Sequence, residues 1–465
     1  MKAIQIKTEP FQFLSIQKLS VRRKINQHST LFIQGIIEAD LETNYYNQCI
    51  STENPIFKVI AKEEQSELKF FIGVITKFYL KKEGNVCVLS LEVTSSTYLM
   101  DLKNHLRFYQ DENQSVKEIF EELCSTYVSS GFLMDYQQEN SLQEFTIQYL
   151  ETDWEFLKRL ASRYHQMLIP IDYVEGIHFY VGIMDKNLQE INEENYTIIN
   201  DIQDYYKKSS EMDFHPLNSV SYQFSSREIF FLGDMILFQK HEMIIYEIQS
   251  EFSHGELIHH YKLKGKSGFQ VPYFFNRSII GASFFAEIVD IEKDKVLIKF
   301  QNGENKNQNV TKLFPFSTVY SSKDGTGWYC MPEPGDIVRL YVPSEKETEA
   351  YVISSVHQKS TNSNARVNPD IKSLKTKYGK EIFFTPDRIV MTNHKGNTIT
   401  LQDEKGICIE SNKDIVIEAV GDISLRSIEQ TLLLNATDKI NICQGGTQLM
   451  VEDDITFKGG KLRME

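Results

Sequence analysis

The stretch Ile407–Asp438, "ICIESNKDIVIEAVGDISLRSIEQTLLLNATD", repeats a pattern every eight residues. The first and third positions of successive octads are mostly apolar, and the eighth position is Asp in three of the four octads. Because side chains alternate between the two faces of a strand, an even repeat returns the same positions to the same face. The pattern therefore predicts short strands joined by corners, as in a β-solenoid or β-prism.

The inward-facing positions of this repeat form two apolar columns, which are a thin core for a single chain. They are Ile407, Ile409, Ile415, Ile417, Ile423, Leu425, Thr431 and Leu433. Burying an aliphatic side chain contributes about 1.5–3 kcal/mol, whereas ordering each residue costs about 1–2 kcal/mol. Three chains around one axis would enclose the columns and pair one another's strand edges. The repeat therefore favours an obligate homotrimer over a monomeric solenoid, and it continues less regularly through residues 439–446 and 447–454.

Length and charge restrict the class of protein. A chain of 465 residues predicts about three domains. The net charge of −14 argues against nonspecific nucleic-acid binding, and no convincing basic patch stands out. The six cysteines lie at 49, 87, 124, 330, 408 and 443 without a CxxC pair, which favours reduced thiols. Charge and a proline interrupt Met1–Ile16, so neither a signal peptide nor a membrane-spanning helix is expected.

The residue pattern along the chain predicts a mainly β, multi-domain fold with a few helices. Alternating apolar residues indicate strands up to about Ser96, and capping boxes at Ser115–Glu118 and Thr152–Glu155 indicate two helices. We expect a β-rich domain with these two helices in 1–265 and a small OB-type barrel in 280–357. A linker would follow in 358–375, and the octad-bearing prism would occupy 376–465.

Three short motifs resemble nucleotide or metal sites, and each lacks an essential residue. His241-Glu242 begins like the zinc-protease motif HExxH, but the fifth position is Ile245. Gly265–Ser267 resembles the end of a Walker A loop, but its first glycine is replaced by His260. His259 and His260 are neighbours that would point to opposite faces of a strand.

Other candidate sites have simpler structural interpretations. No GxSxG motif occurs, and acidic pairs such as Asp453-Asp454 are expected to be solvated in an acidic protein. The aromatic run Pro272–Phe275 could bind sugars, although packing between domains is favoured. We therefore expect no catalytic, cofactor-binding or metal-binding residue, and no enzymatic activity.

The order of these parts resembles that of a known family. The stretch Glu151–Ala161 resembles a hub helix, and Phe231–Met235 with Gly255–Tyr261 resembles the end of a hub. Gly281–Val289 resembles the start of a barrel, and Gly327–Asp336 resembles its characteristic turn. Together with the octads, these stretches resemble the VgrG-type spike proteins of contractile injection systems, which are similar to fused hub and spike proteins of contractile phage tails.

The resemblance implies a mechanical, non-enzymatic role. Three chains would form a hub that faces a hexameric inner-tube protein and contacts baseplate proteins. The trimeric prism would form a needle that contacts the target envelope transiently when a sheath contracts. The particle would assemble in the bacterial cytoplasm without a signal peptide, and contraction would deliver it outside the cell or into the target.

The resemblance also raises expectations about the needle tip. The last histidine is His394, so the His-x-His iron site of some phage spikes is not expected. No inserted muramidase domain and no fused effector are expected either, and a separate PAAR-type cone with cargo would cap the needle. The sequence leaves undecided which injection system, target cell and cargo are involved. An envelope-degrading enzyme on a spike scaffold and a solitary β-helical adhesin are the alternatives.

Overall fold

The computed structural model describes residues 5–63, 66–134, 141–186, 188–253, 255–305 and 309–451. The chain divides into two compact units, Met1–Gln358 and Lys359–Glu465. Both are built mainly from strands, as the sequence predicts. The end of the last octad and Asp453-Asp454 lie outside the described residues. Within the described ranges, no helix has the length and apolar character needed to cross a bilayer.

The first unit begins with six strands and one helix. They are β1 (Gln5–Glu9), β2 (Ser15–Lys24), β3 (Thr30–Ile37), α1 (Glu42–Ser51), β4 (Ile56–Glu63), β5 (Ser66–Glu83) and β6 (Val86–Ser95). Burial alternates along β3 and β6, so one face of this antiparallel sheet packs against a core while the other meets solvent. The sequence did not predict α1, because Tyr45 is its only buried residue and the helix has no periodic apolar face.

The two predicted helices follow. The elements are β7 (His105–Tyr109), α2 (Val116–Ser125), β8 (Ser130–Met134), β9 (Thr146–Glu151) and α3 (Asp153–Ser162). Both predicted capping boxes are confirmed: the side chains of Ser115 and Thr152 accept hydrogen bonds from the backbone three residues on. The apolar face of each helix is buried, and Trp154 is 1% exposed. These helices are packing elements.

The remaining part of this region completes a large sheet. Its elements are β10 (Leu168–Ile171), β11 (Ile177–Val181), β12 (Gln189–Ile191), β13 (Tyr196–Asn200), α4 (Ile202–Ser209), β14 (Val220–Ser226), β15 (Met235–Phe238), β16 (His241–Ser253) and β17 (Glu256–Lys264). Strands β2 and β16 pair antiparallel and join two halves into one 12-stranded sheet. Helix α4, which the sequence did not predict, is short and is capped by the Asp201 side chain. The described residues of this region therefore contain four α-helices, where the sequence predicted two.

A five-stranded barrel-like sheet follows. Its strands are β18 (Ser283–Glu292), β19 (Lys295–Phe300), β20 (Leu313–Pro315), β21 (Ile337–Tyr341) and β22 (Tyr351–Ile353), in the spatial order β20-β19-β18-β21-β22. The two edge strands, β20 and β22, are not joined by a continuous ladder of backbone hydrogen bonds. A parallel bridge between Phe316 and Val352 links them, and the Ser317 amide donates to the Val352 carbonyl at 2.8 Å. Five short strands therefore lie in the predicted barrel region 280–357, and their pairing stops short of a closed barrel.

Side chains from residues 1–265, here called the hub region after the family that the sequence resembles, complete the core of this sheet. Phe108 stacks on Phe300 with ring centroids 3.7 Å apart, and Phe145 meets Phe314 edge to face at 4.9 Å. All four rings belong to one buried cluster. Hub region and barrel therefore pack as one body within Met1–Gln358, although the sequence divides them near residues 265–280.

The second unit contains a meander and a hairpin. Its strands are β23 (Lys372–Lys375), β24 (Glu381–Thr385), β25 (Arg388–Thr392), β26 (Thr398–Gln402), β27 (Gly406–Glu410), β28 (Ile440–Gln444) and β29 (Thr447–Val451). The first five pair in chain order as an antiparallel sheet, and the last two form a hairpin. Strand β23 begins inside the predicted linker 358–375, so the meander starts earlier than the sequence indicated.

Candidate assembly site

One face of the β23–β27 meander carries two rows of apolar side chains that run across the strands. Directly opposed residues form the first row, which comprises Leu374, Ile382, Met391, Ile399 and Ile409. The second row comprises Phe384, Ile389, Leu401 and Ile407. Opposed residues in an antiparallel sheet point to the same side, so the two rows form one apolar face.

This apolar face is exposed in the single chain. Met391 is 51% exposed, Ile399 is 39% exposed and Ile409 is 59% exposed. On the opposite face, Val390 is only 7% exposed. Isolated exposed apolar residues are ordinary, but a continuous exposed face of this kind indicates an interaction surface.

The first octad supplies the last member of each row. Ile407 and Ile409 belong both to the first octad and to the rows, and the next inward pair, Ile415 and Ile417, is 55% and 70% exposed. The first octad forms β27, whereas residues 411–439 contain no regular strand. A strand needs a neighbour for its backbone hydrogen bonds, and one copy of the chain pairs no strand with residues 415–439.

The sequence located the columns only from Ile407 onward. It identified strands near Glu381–Phe384, Ile389–Thr392 and Thr398–Gln402 without an eight-residue period. The register of their hairpins places Ile382, Met391 and Ile399 side by side, and only the structure reveals this alignment. The apolar face therefore includes residues of β23–β26, which precede the octad repeat from which the columns were predicted.

The hub sheet presents a second candidate assembly feature. Its strand order runs from β1 to β13, and each of these two strands has one edge that pairs with no strand in the part of the chain that the structure describes. On β13, Tyr196 is 42% exposed and Ile198 is 56% exposed. Both are paired with residues of β14 whose side chains point toward the core. Open edges with apolar side chains are places where another chain can add to a sheet.

A buried ion cluster joins the hub helix to the barrel. Arg159 of α3 donates to both carboxylate oxygens of Glu151 at 2.8 and 2.9 Å, and to Glu347 of the barrel at 2.7 Å. All three residues are less than a tenth exposed. Burial raises the pKa of the Glu151 carboxyl above its usual range, even though Arg159 opposes this change. The cluster fixes the orientation of the barrel on the hub.

A second ion cluster links the same two regions. The Arg107 guanidinium is 2.5 Å from a carboxylate oxygen of Asp153 and 3.2 Å from one of Glu304, which lies in the loop after β19. A ring nitrogen of His105 lies 2.7 Å from Glu304. Although burial opposes ionisation, His105 and Arg107 hold the pKa of Glu304 below its usual range. Two separate charge clusters therefore secure one joint.

The structure brings together one acid–histidine–hydroxyl arrangement that sequence spacing could not reveal. One ring nitrogen of His28 lies 3.1 Å from Asp101, and the other lies 2.8 Å from the Thr97 hydroxyl. Nucleophilic catalysis needs a hydroxyl that a substrate can reach. The Thr97 side chain is fully buried, so this arrangement stabilises the hub, and Asp101 also bonds to the helix-capping Thr152.

The residues of the three short motifs lie on strands or in a single turn. His241 and Glu242 begin β16, and Gly265 precedes a single 3-10 turn, so neither segment is a helix. His259 is 1% exposed, whereas His260 lies on the exposed face of β17, which confirms the predicted opposite orientations. Across the described ranges, no cluster of three His, Cys, Asp or Glu side chains could hold a metal ion.

The aromatic run Pro272–Phe275, for which packing between domains was favoured, packs in part against the hub, and Phe275 is 39% exposed. The Phe274 amide donates to the Ser162 hydroxyl at 2.9 Å, and its ring packs against the hub core. Tyr273 and Phe275 contact each other with ring centroids 4.3 Å apart.

His259 occupies an unusual environment in the hub. Its Nδ1 lies 2.7 Å from the Ser250 hydroxyl, and its Nε2 has no hydrogen-bond partner among the described residues. Burial, together with the nearby positive charge of Arg23, lowers the pKa of His259 to about 3. The imidazole is therefore neutral at physiological pH.

Comparison with known proteins agrees with this architecture. Residues 49–165 match the family model described as phage tail baseplate hub, which covers about a quarter of the chain. The comparison with curated proteins gave no match.

Solved structures give matches over most of the chain. E. coli c3393, described as a type VI secretion component similar to T4 bacteriophage gp27 and gp5, matches with a TM-score of 0.53 and 14% identity. That match covers 75% of this chain and 99% of c3393. The half-lidded Francisella PdpA-VgrG complex matches with a TM-score of 0.60 and 11% identity, covering 88% of each chain. The lidded form of that complex has a TM-score of 0.57 at 11% identity, covering 89% of this chain and 80% of that chain.

The fold is therefore that of the hub proteins of contractile phage tails and related secretion systems. Within this class, the arrangement of hub, barrel and octad-bearing unit supports the VgrG-type resemblance that the sequence indicated. At these identities the structural likeness establishes the fold.

Proposed function

We propose that this protein is the structural hub and spike of a contractile injection system, and that it works as a homotrimer. The three needle segments would wrap around one axis and form a tip that punctures a membrane. The hub would join this needle to the inner tube and the baseplate. The observation that carries the proposal is the exposed pair of apolar rows in a chain with a tail-hub fold.

The apolar rows support a trimer on energetic grounds. Each row residue that moves from water into a shared core contributes about 1.5–3 kcal/mol. Nine residues of the meander lie in the two rows, and the octads extend them. Three copies also supply the neighbouring strand edges that residues 411–439 lack in one chain.

A matched pair of substitutions on β26 tests the trimer. Ile399→Asp places a carboxylate on the apolar face, and Thr400→Asp places one on the other face of the same strand. Light scattering should give a mass near three chains for the wild type and for Thr400→Asp, and a smaller mass for Ile399→Asp. A wild-type monomer in native buffer would contradict the proposal and would favour a solitary β-helical protein.

The hub sheet supports a ring that faces a hexameric tube. Each chain contributes two mainly antiparallel sheet halves joined by β2 and β16, so three chains would offer six halves. The open edges at β1 and β13 supply strands through which neighbouring copies could join. Binding of purified trimer to tube-protein hexamers, and loss of binding when Ile198→Asp is introduced into β13, would test this part.

A separate PAAR-type cone is proposed for the needle tip. The hairpin of β28 and β29 is the last described element, and its outer edges pair with no other described strand. Mixing purified trimer with a candidate cone should raise the melting temperature of one or both partners. If neither binding nor mutual stabilisation is found, this partner is excluded.

The proposed role is mechanical, with no catalytic residue. The buried Thr97 hydroxyl beside His28 supports this assignment. Zymography on peptidoglycan with the purified wild-type protein should show no clearing. Clearing by a homogeneous preparation would establish an envelope-degrading enzyme instead.

A further inference from the structure

The acidity of the chain is unevenly distributed, and one segment of the second unit is strongly basic. Residues 359–380 contain six Lys or Arg residues and a single acidic residue, Asp370, in a protein of net charge −14. The basic residues are Lys359, Arg366, Lys372, Lys375, Lys377 and Lys380. All six are exposed. A local basic patch of this kind is compatible with the acidic charge of the whole chain.

Exposed apolar side chains are interleaved with these charges. Val367 is 70% exposed, Ile371 is 45% exposed and Tyr378 is 73% exposed. Each of them is adjacent in sequence to a basic residue or to Asp370. Val367 and Tyr378 lie outside the two apolar rows, so the proposed trimer axis does not account for their exposure.

An ordered turn presents part of this segment. The Thr376 amide donates to the Lys380 carbonyl at 2.9 Å, and the Gly379 amide donates to the Thr376 carbonyl at 3.0 Å. Gly379 has a φ of 73°, a left-handed conformation that glycine adopts without strain. Lys377 and Tyr378 are therefore held together at the tip of the β23–β24 turn, with the ammonium 5.3 Å from the ring centroid.

Protection of a sheet edge explains only part of the pattern. Lysines on an edge strand discourage unwanted strand pairing, which accounts for Lys372 and Lys375 on β23. Lys359, Arg366 and Lys377 lie outside the strand and need another explanation. A protein surface that combines basic groups with exposed aliphatic and tyrosine side chains suits a lipid interface, where the charges meet headgroups and the apolar groups enter the acyl boundary.

We propose that residues 359–380 form a binding surface for anionic phospholipid headgroups. The basic side chains contact lipid phosphates, and Val367, Ile371 and Tyr378 insert at the interface. A single-stranded nucleic acid would instead require several stacking aromatic rings, and this segment has one. The inference rests on the proposed function, because a trimer concentrates three such segments on one particle and increases their avidity.

Vesicle co-sedimentation of the full-length protein tests this proposal. The probes are vesicles of phosphatidylglycerol mixed equally with phosphatidylcholine, and vesicles of phosphatidylcholine alone. The wild type should bind the anionic vesicles, release them at high salt, and ignore the neutral vesicles. The variant that combines Lys359→Gln, Arg366→Gln, Lys377→Gln and Lys380→Gln should bind at least about tenfold more weakly.

A control variant carries the same number of charge changes elsewhere. It combines Lys62→Gln, Lys77→Gln, Lys81→Gln and Lys117→Gln, all of them exposed lysines of the first unit. This control should retain wild-type vesicle binding. Tyr378→Ser should weaken binding without changing the dependence on salt, because it removes only the apolar contribution.

The outcomes separate this inference from the proposed function. Equal vesicle binding by the wild type and the four-site variant would overturn the lipid-binding proposal. Preferential binding of duplex DNA over anionic vesicles would also overturn it. Light scattering on the same samples reports the mass of the assembly. A trimer that ignores anionic vesicles would refute only the lipid surface, and a monomer that binds them through 359–380 would refute only the trimeric spike.

Discussion

At the scale of single residues, the hub contains polar groups whose environment determines their chemistry. His28 links Asp101 to the Thr97 hydroxyl in the order that a catalytic relay would use. The hydroxyl is buried, so the same three residue types serve packing. Residue identity alone therefore does not define an active site, because access decides whether a group can react.

His259 gives a prediction about acid stability. Its folded-state pKa of about 3 lies below the ordinary value of 6.5, so the unfolded chain binds a proton between these values while the folded chain does not. The free energy of unfolding should therefore fall as pH decreases from about 6.5 toward 3, by an amount on the order of 2–5 kcal/mol. Urea denaturation at a series of pH values measures this change.

His259→Gln removes the titrating group and keeps a side chain that can hydrogen-bond to Ser250. Its unfolding free energy should depend less steeply on pH in this range than that of the wild type. His241→Gln, at an exposed position of β16, is the matched control and should keep the wild-type slope. Identical slopes for all three proteins would show that His259 does not contribute.

At the scale of elements, helix α3 is the part of the hub that holds the barrel. Its N-terminal capping box and its buried Trp154 fix the helix in the hub. Its Arg159 then reaches Glu347, which is 188 residues away along the chain. A single helix therefore connects the two regions that would transmit force in the proposed spike.

Arg159→Met should strongly destabilise the first unit. The substitution leaves the buried carboxylates of Glu151 and Glu347 without a positive partner, which costs on the order of 3–5 kcal/mol. Removing the exposed partner in Arg227→Met, which pairs with Glu256 at the surface, should cost at most about 1 kcal/mol. Chemical denaturation compares the two, and similar losses would mean that the buried cluster does not stabilise the joint.

The apolar rows of the meander include strands that the eight-residue repeat does not cover. The octads were recognised because their period is constant, whereas β23–β26 reach the same two rows through hairpins of unequal length. Strand propensity predicted most of these strands. Their register depends on the turns between them, and no fixed spacing in the sequence encodes it.

At the scale of the whole molecule, one chain leaves many large apolar side chains of its second unit in water. The inward octad residues Ile417 and Leu425 are 70% and 64% exposed. Stable proteins rarely leave such surfaces uncovered, and the proposed trimer would cover them without any further partner.

Ile417→Asp should therefore prevent trimer assembly. In the proposed trimer it places three carboxylates on one axis, where burial and mutual repulsion oppose their ionisation. Val416→Asp changes a neighbouring residue that is 74% exposed and that the repeat places outside the columns. Light scattering should show loss of the trimer only for Ile417→Asp, and normal assembly of this variant would mean that the inward column is misassigned.

The sequence by itself determined the class of fold, the positions of α2 and α3, and the eight-residue apolar pattern from which the columns are predicted. These features are local, because capping boxes and periodic apolar residues act over a few neighbouring positions. The tertiary structure alone decided the Arg159–Glu347 joint, the Asp101–His28–Thr97 arrangement and the register of the two apolar rows. Those contacts join residues that are far apart in sequence, and the chain's packing rather than any local pattern brings them together.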